Sequence, residues 1–262
     1  MRIALTIAGS DSGGGAGIQA DLKTFQRFGV FGTSAITAVT AQNTRGVSKW
    51  EAVSADLVRA QIDAVAEDLR PAAFKTGMLA NAAVASVVAT AIRENSLRSY
   101  VLDPVMVASS GDVLFEKDAI EIIRRDLIPQ AFLLTPNLHE AAILIGEEID
   151  DEEEMARSAE TIVREMGAQA VLIKGGHLDS GDRVIDILYD GNVRAFRTER
   201  LATRNTHGTG CTLSAAITAQ LAVGESLHAA VRRAIDYVHN AIATAPALGS
   251  GHGPLNHLAD NS

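Results

Sequence analysis

Short apolar runs and one-sided apolar stripes alternate along most of the chain. Ile3 to Ala8 is a compact run of strand type, and Ile18, Leu22, Phe25 and Phe28 then recur at helical spacing. The pair repeats further on. Ser34 to Thr40 is rich in β-formers, and Val58, Ile62, Val65 and Leu69 follow as one helical stripe. Ala73 to Thr76 reads as a short strand and the stretch from about Asn81 to Asn95 as a helix. Ser99 to Leu102, Phe132 to Thr135 and Ala170 to Ile173 are further strands, and Met155, Ala159, Ile162, Val163 and Met166 form the inner face of a helix. Val184 to Asp190 and Val193 to Phe196 flank Gly191-Asn192, a hairpin signal. Leu213, Ala215, Ala216, Ile217 and Leu221 predict one more helix, and Leu227, Val231, Ala234, Ile235, Val238 and Ile242 a long final one. Strand and helix alternate with no linker-like stretch. That predicts one α/β domain over residues 1–262, with a doubly wound, mostly parallel sheet between two helix layers. The tail from Ser250 is expected to be loose.

Composition narrows the function classes. A hydrophobic content of 47% in 262 residues is that of a globular chain with a full core. The net charge of −9 argues against a nucleic-acid binder, which needs a basic face. No apolar run approaches the roughly 20 residues of a membrane span. The run from Ile3 is too brief for a signal peptide's apolar core, and one cysteine excludes an intrachain disulfide, so a cytoplasmic enzyme is expected. The acidic run Glu147, Glu148, Asp150, Asp151, Glu152, Glu153 and Glu154 precedes a helix and reads as a solvated face that complements its dipole.

The candidate chemistry falls at strand ends, where open α/β sheets bind ligands. After the first strand, Gly9-Ser10-Asp11-Ser12-Gly13-Gly14-Gly15-Ala16-Gly17 opens a helix. It matches neither a dinucleotide fingerprint nor a P-loop, and leaves a loop whose backbone can approach a small ligand. Asp21 follows one turn later and is expected to face that loop or to be an ordinary charge near a helix start. Gln42 closes the second strand, where its amide suits an aminopyrimidine-like edge or simply solvent. Asp103, followed by Pro104, is a candidate Mg²⁺ contact, direct or through water. Asn137 and Glu140, three apart at a helix start, can share an ion or form a capping arrangement. Lys174, followed by Gly175-Gly176, can reach a phosphate or lie on the surface. The stretch Asn205-Thr206-His207-Gly208-Thr209-Gly210-Cys211-Thr212-Leu213 puts two glycines at a helix start, a natural anion site. A thiol there is expected to have a lowered pKa; the alternative is an inert buried cysteine.

Six segments together resemble hydroxymethylpyrimidine/phosphomethylpyrimidine kinases of thiamine biosynthesis, members of the ribokinase-like superfamily. They are Ala4 to Asp21, Thr37 to Thr44, Lys75-Thr76-Gly77-Met78, Asp103-Pro104-Val105-Met106, Lys174-Gly175-Gly176-His177 and His207-Gly208-Thr209-Gly210-Cys211, in family order. The resemblance implies a three-layer α/β/α fold and two phosphoryl transfers from ATP with Mg²⁺. The first goes to 4-amino-5-hydroxymethyl-2-methylpyrimidine and the second to its monophosphate. It implies that Gln42 binds the pyrimidine amino edge in a pocket lined by Gly9, Ala16, Asp21, Val39, Met78 and Val105. Lys174, Thr206, Gly208, Thr209 and Gly210 would contact ATP, and Asp103, Asn137 and Glu140 would serve the metal through waters. The turn from Gly208 to Gly210 would form the anion hole, and Cys211 would stand where the superfamily carries an aspartate base. Relatives are commonly homodimers, so a homodimer is expected. Many members have a lysine where this chain has Ser109, and the Ser109 to Gly111 stretch is a candidate lid. The alternative is a pyridoxal kinase of the cysteine-bearing branch, or dual activity; Gln42 speaks against it, because that branch tends to be apolar there.

Overall fold

Period-two alternation along buried strands divides the core in two. In this computed structural model, which describes residues 1–106, 117–178 and 180–260, the strands are β1 (Ile3–Asp11), β2 (Phe31–Asn43), β3 (Gly46–Ala52), β4 (Ala73–Thr76), β5 (Tyr100–Leu102), β6 (Leu133–Leu134), β7 (Val171–Ile173), β8 (Arg183–Tyr189) and β9 (Val193–Glu199). Leu5, Ile7, Tyr100, Leu102, Leu134, Val171 and Ile173 point to one face, and Ala4, Val101, Leu133 and Leu172 to the other. Both faces are covered by helices, which is why these strands read as continuous apolar runs.

The sheet order is β3-β2-β1-β4-β5-β6-β7-β8-β9. The run from β2 to β7 is parallel, while β3 at one end and the β8–β9 hairpin at the other pair antiparallel. Over the first face lie α2 (Ala55–Asp68), α3 (Ala82–Glu94), α4 (Lys117–Ile122), α5 (Leu138–Ile145) and α6 (Glu152–Met166). Over the second lie α1 (Gly17–Arg27), α7 (Thr209–Ala222) and α8 (Leu227–Ala243). This is the three-layer, mostly parallel arrangement expected. Strand β3 and the turns that carry α4 on to Gln130 were not anticipated: β3 is largely exposed, and its two-sided polar sequence carries no strand period.

Helix starts separate structural ends from available ones. Ser54, Asn81, Asp151 and Ser226 cap α2, α3, α6 and α8 by accepting a backbone N–H with their side chains. By contrast α1 begins at Ala16 and α7 at Gly208 with no side-chain cap. No side chain caps their first turns, although Thr209 N–H donates to Thr206 O at 3.2 Å and Gly17 N–H meets the Cys211 thiol.

The tail expected to be loose is docked instead. His252 N–H donates to Thr44 O at 2.7 Å, His207 N–H to Gly253 O at 3.1 Å and Asn256 N–H to Ala241 O at 3.0 Å. Leu255, His257 and Ala259 are buried, Leu255 and Ala259 in the α7–α8 core. Glycines and histidines hid this, because backbone bonds and one leucine fix the segment. Burial, aided by Lys23, lowers the His257 pKa from 6.5 to about 4. The unfolded chain therefore takes up a proton the native one refuses as pH falls from 6.5 to about 4, and stability falls with it. Unfolding free energies from urea titrations at pH 7 and pH 4.5 are expected to differ by less in His257→Gln than in the parent, the missing part being on the order of 2–3 kcal/mol.

Candidate active site

The glycine loop between β1 and α1 is wound around one carboxylate. Asp11 accepts backbone N–H groups from Gly13 at 2.7 Å, Gly15 at 3.0 Å and Ala16 at 2.9 Å, and lies 2.9 Å from His207 Nε2. Burial opposes its charge, but the His207 and backbone contacts outweigh that and hold the carboxyl below the usual range. The loop thereby meets the turn before α7: a Cβ on Gly208 would lie 1.8 Å from Gly15 O. The two uncapped helix starts are thus brought side by side.

At the end of β1, a Cβ on Gly9 would sit 3.4 Å from Met78 Sδ and 3.8 Å from Ala38 O, so Gly9, Met78 and the β2 backbone converge. Thr37 Oγ1 donates to Met78 O at 2.5 Å, fixing that turn. Val39 is half exposed, and Val105, whose N–H donates to Asp103 O at 2.9 Å, follows β5 at the same sheet edge. Gln42 is half-buried beside Thr40 and His207. Asp21 does not face the loop. It is fully buried, accepts from Thr6 Oγ1 at 2.6 Å and pairs with Lys75 Nζ at 2.8 Å. One turn into α1 is the sheet-facing side of that helix, so its carboxylate points under the site.

Lys75, whose role the sequence did not reveal, therefore forms the floor. Its Nζ also lies 3.4 Å from Cys211 O. A lone lysine in a four-residue strand carries no periodic signal; only its place in a wholly buried strand could have marked it. Breaking a fully buried pair leaves an uncompensated charge. Lys75→Met is thus expected to cost about 3–5 kcal/mol in urea unfolding, and Lys75→Met with Asp21→Leu markedly less.

A second cluster gathers four elements. Lys174, at the end of β7, pairs with Asp103 at 2.9 Å and is mostly buried, so it is no ordinary surface lysine. A Cβ on Gly210 would lie 3.3 Å from Lys174 Nζ, which places the α7 start against that ammonium. Ser214 Oγ donates to Asp103 Oδ2 at 3.2 Å. Burial opposes the Asp103 charge, yet Lys174 and Lys75 hold its pKa low. At α5, Asn137 and Glu140 form the capping box: Glu140 N–H donates to Asn137 Oδ1 at 2.8 Å and Asn137 N–H to Glu140 Oε2 at 2.8 Å. Glu140 Oε1 also accepts Met106 N–H at 3.3 Å. Burial and the nearby Asp103 raise the Glu140 pKa, against Lys174.

Capping does not remove Glu140 and Asn137 as ligands, because each oxygen has a second lone pair. The donor set is all oxygen, which fits Mg²⁺. Among the described residues, no three His, Cys, Asp or Glu side chains form a cage. A cation here would accordingly keep water and substrate oxygens in its shell.

Cys211 reverses an expectation. Burial pushes its thiol up to about 11, although Lys75 and the Gly17 N–H favour the thiolate; Asp21 and Asp103 add to the rise. The helix dipole favours a thiolate there, but desolvation and two neighbouring carboxylates outweigh it. Thr209 Oγ1 turns back to Thr206 O at 2.7 Å, which shapes the turn. The Ser109 to Gly111 lid candidate lies outside the described residues.

A buried lysine, two bare helix starts and paired carboxylates at the ligand-binding edge of a parallel sheet define a small-molecule phosphotransferase. Its three layers are those of the ribokinase-like fold. The chain belongs to the phosphomethylpyrimidine kinase family, whose sequence profile matches residues 11–256. A hydroxymethylpyrimidine/phosphomethylpyrimidine kinase of Rhizobium meliloti is 54% identical, with 98% of this chain and 97% of that one covered. Among solved structures, a phosphomethylpyrimidine kinase of Clostridium difficile is 40% identical with a TM-score of 0.83, covering 92% of this chain and 100% of that one. A pyridoxal kinase of Bacillus subtilis, solved with ADP, is 37% identical with a TM-score of 0.90, covering 99% and 98%.

Proposed function

We propose that this enzyme transfers phosphoryl groups from ATP first to the hydroxymethyl group of 4-amino-5-hydroxymethyl-2-methylpyrimidine and then to the resulting monophosphate. The observation that supports this is that Gln42 meets His207 in the turn that leads into α7, whose Gly210 lies against Lys174 and its partner Asp103, with Cys211 at the head of the same helix. Gln42 presents both a donor and an acceptor, as an aminopyrimidine edge requires. Gly9, Ala16, Val39, Met78 and Val105 line the ring, and Asp21 supports the floor through Lys75. Lys174 and the backbone N–H groups of Gly208 and Gly210 take up charge on the transferring phosphoryl group, with Thr206, which accepts the Thr209 N–H at 3.2 Å, shaping the turn. Asp103, Asn137 and Glu140 would hold Mg²⁺ through waters, and the ion would supply charge neutralisation between phosphates. Cys211 takes the alcohol proton in the first transfer.

The enzyme acts in the cytoplasm as a homodimer in this reading. Partly exposed Phe31 and Trp50 on β2 and β3 support the dimer, and light scattering at twice the chain mass tests it. The two-step activity is tested by phosphorus NMR of a reaction fed hydroxymethylpyrimidine, ATP and Mg²⁺. Monophosphate should rise and then give way to diphosphate. Monophosphate that accumulates without further conversion would leave a single-step kinase.

A further inference from the structure

Gln42 is held at both ends. Its backbone N–H donates to Ser12 Oγ at 2.8 Å, and the Ser12 hydroxyl donates back to Gln42 O at 2.8 Å. Its side-chain amide lies between Thr40 Oγ1 at 3.1 Å and His207 Nε2 at 3.4 Å. A count of protons decides which end of the amide faces which neighbour. Thr40 has one hydroxyl proton, and Ser10 O, 3.0 Å away, can only accept it. The end of Gln42 that meets the same oxygen must then be the NH₂ donor. His207 Nε2 contacts Asp11 Oδ2 at 2.9 Å, and the other partners of that carboxylate are three backbone N–H groups. Asp11 is therefore a pure acceptor and Nε2 carries the ring proton. The end of Gln42 beside it must be Oε1. The opposite orientation sets amide N–H against ring N–H and leaves Thr40 one proton for two acceptors; a half turn of the amide replaces the N–H against N–H contact with N–H···O, the ring proton then lying between Asp11 Oδ2 and Gln42 Oε1.

His207 is in turn fixed by its surroundings. It is buried, its backbone N–H donates to Gly253 O at 3.1 Å, and a Cβ on Gly15 would lie 2.7 Å from its Cδ2. We propose that His207, oriented by Asp11, is a positioning residue that sets the Gln42 amide with Oε1 towards His207 and N–H towards Thr40. It thereby fixes which way round a ligand's adjacent donor and acceptor must lie. The ligand class selected is a heteroaromatic ring with an exocyclic amino donor beside a ring-nitrogen acceptor, in one of its two possible poses. The proposal rests on Gln42 being the pyrimidine contact.

A double-mutant cycle tests it, with KM and kcat for hydroxymethylpyrimidine, KM for ATP and the melting temperature read for every variant. Gln42→Ala is expected to raise the pyrimidine KM about tenfold, and His207→Ala by about three- to tenfold, with ATP KM unmoved. Because His207 acts through Gln42, the double variant should be no worse than Gln42→Ala alone. His207→Gln, which restores an N–H near the Nε2 position, should return KM to within about threefold of the parent. Thr40→Val, which removes the other contact of the amide, should behave as His207→Ala does and serves if His207→Ala fails to fold. A Gln42→Ala effect that multiplies with both partners' effects, or partners that leave KM unchanged, overturns the proposal while sparing the pyrimidine contact. An unchanged KM in Gln42→Ala overturns both.

Discussion

Cys211→Ala is expected to slow phosphorylation of the alcohol by roughly 10²–10⁴-fold and phosphorylation of the monophosphate by less than about tenfold. A primary alcohol must lose its proton to attack. A phosphate monoester, with a second pKa near 6, already offers an oxyanion at pH 7. Positioning and charge neutralisation suffice for the second step. The buried thiol adds a pH signature. With its pKa pushed up to about 11, the thiol holds its proton at neutral pH, and the thiolate fraction grows about tenfold per unit below that value. The alcohol step is therefore expected to climb steeply from pH 7 to 9, while the monophosphate step stays nearly level. Single-turnover rates on each acceptor check both statements. Equal losses of roughly 10²-fold in both steps would leave Cys211 a structural part of the anion hole.

Gly208→Ala is expected to remove both transfers together, by roughly 10²–10³-fold or more in kcat. Gly208 has φ +83°, and an added Cβ would lie 1.8 Å from Gly15 O, a backbone atom that cannot swing aside. Left-handed strain of about 1–2 kcal/mol is the smaller part. The larger is that the turn and the glycine loop must separate, which displaces the N–H groups proposed to meet the phosphoryl oxygens. Gly224→Ala separates the two causes: it has φ +94° but open space around the new methyl, so it should lose stability and keep activity. Steady-state rates beside melting temperatures for both variants make the comparison.

Much of this was legible in the sequence, for identifiable reasons. Strands buried on both faces declare themselves as unbroken apolar runs, and Lys174, Asp103 and the 206–211 turn fall at strand ends or a helix start by simple counting. The orientation of Asp21 was not legible, because one helical turn separates the loop-facing and sheet-facing sides. The role of Lys75 was not legible, since its partner stands 54 residues away. Spacing three apart could not separate capping from ligation at Asn137 and Glu140, and the fold shows the capping bonds directly. His207 and Asp11 likewise meet only across 196 residues of chain. Cys211 failed on energetics: its place was right and its desolvation was invisible.

The substrate is what remains to be measured, and in the proposed reading Gln42 favours an aminopyrimidine over pyridoxal. The direct measurement is kcat/KM of the purified enzyme, with ATP and Mg²⁺, for hydroxymethylpyrimidine, its monophosphate and pyridoxal side by side. Turnover of both pyrimidines with pyridoxal well behind is the result expected here. Fast turnover of pyridoxal with both pyrimidines idle would contradict it.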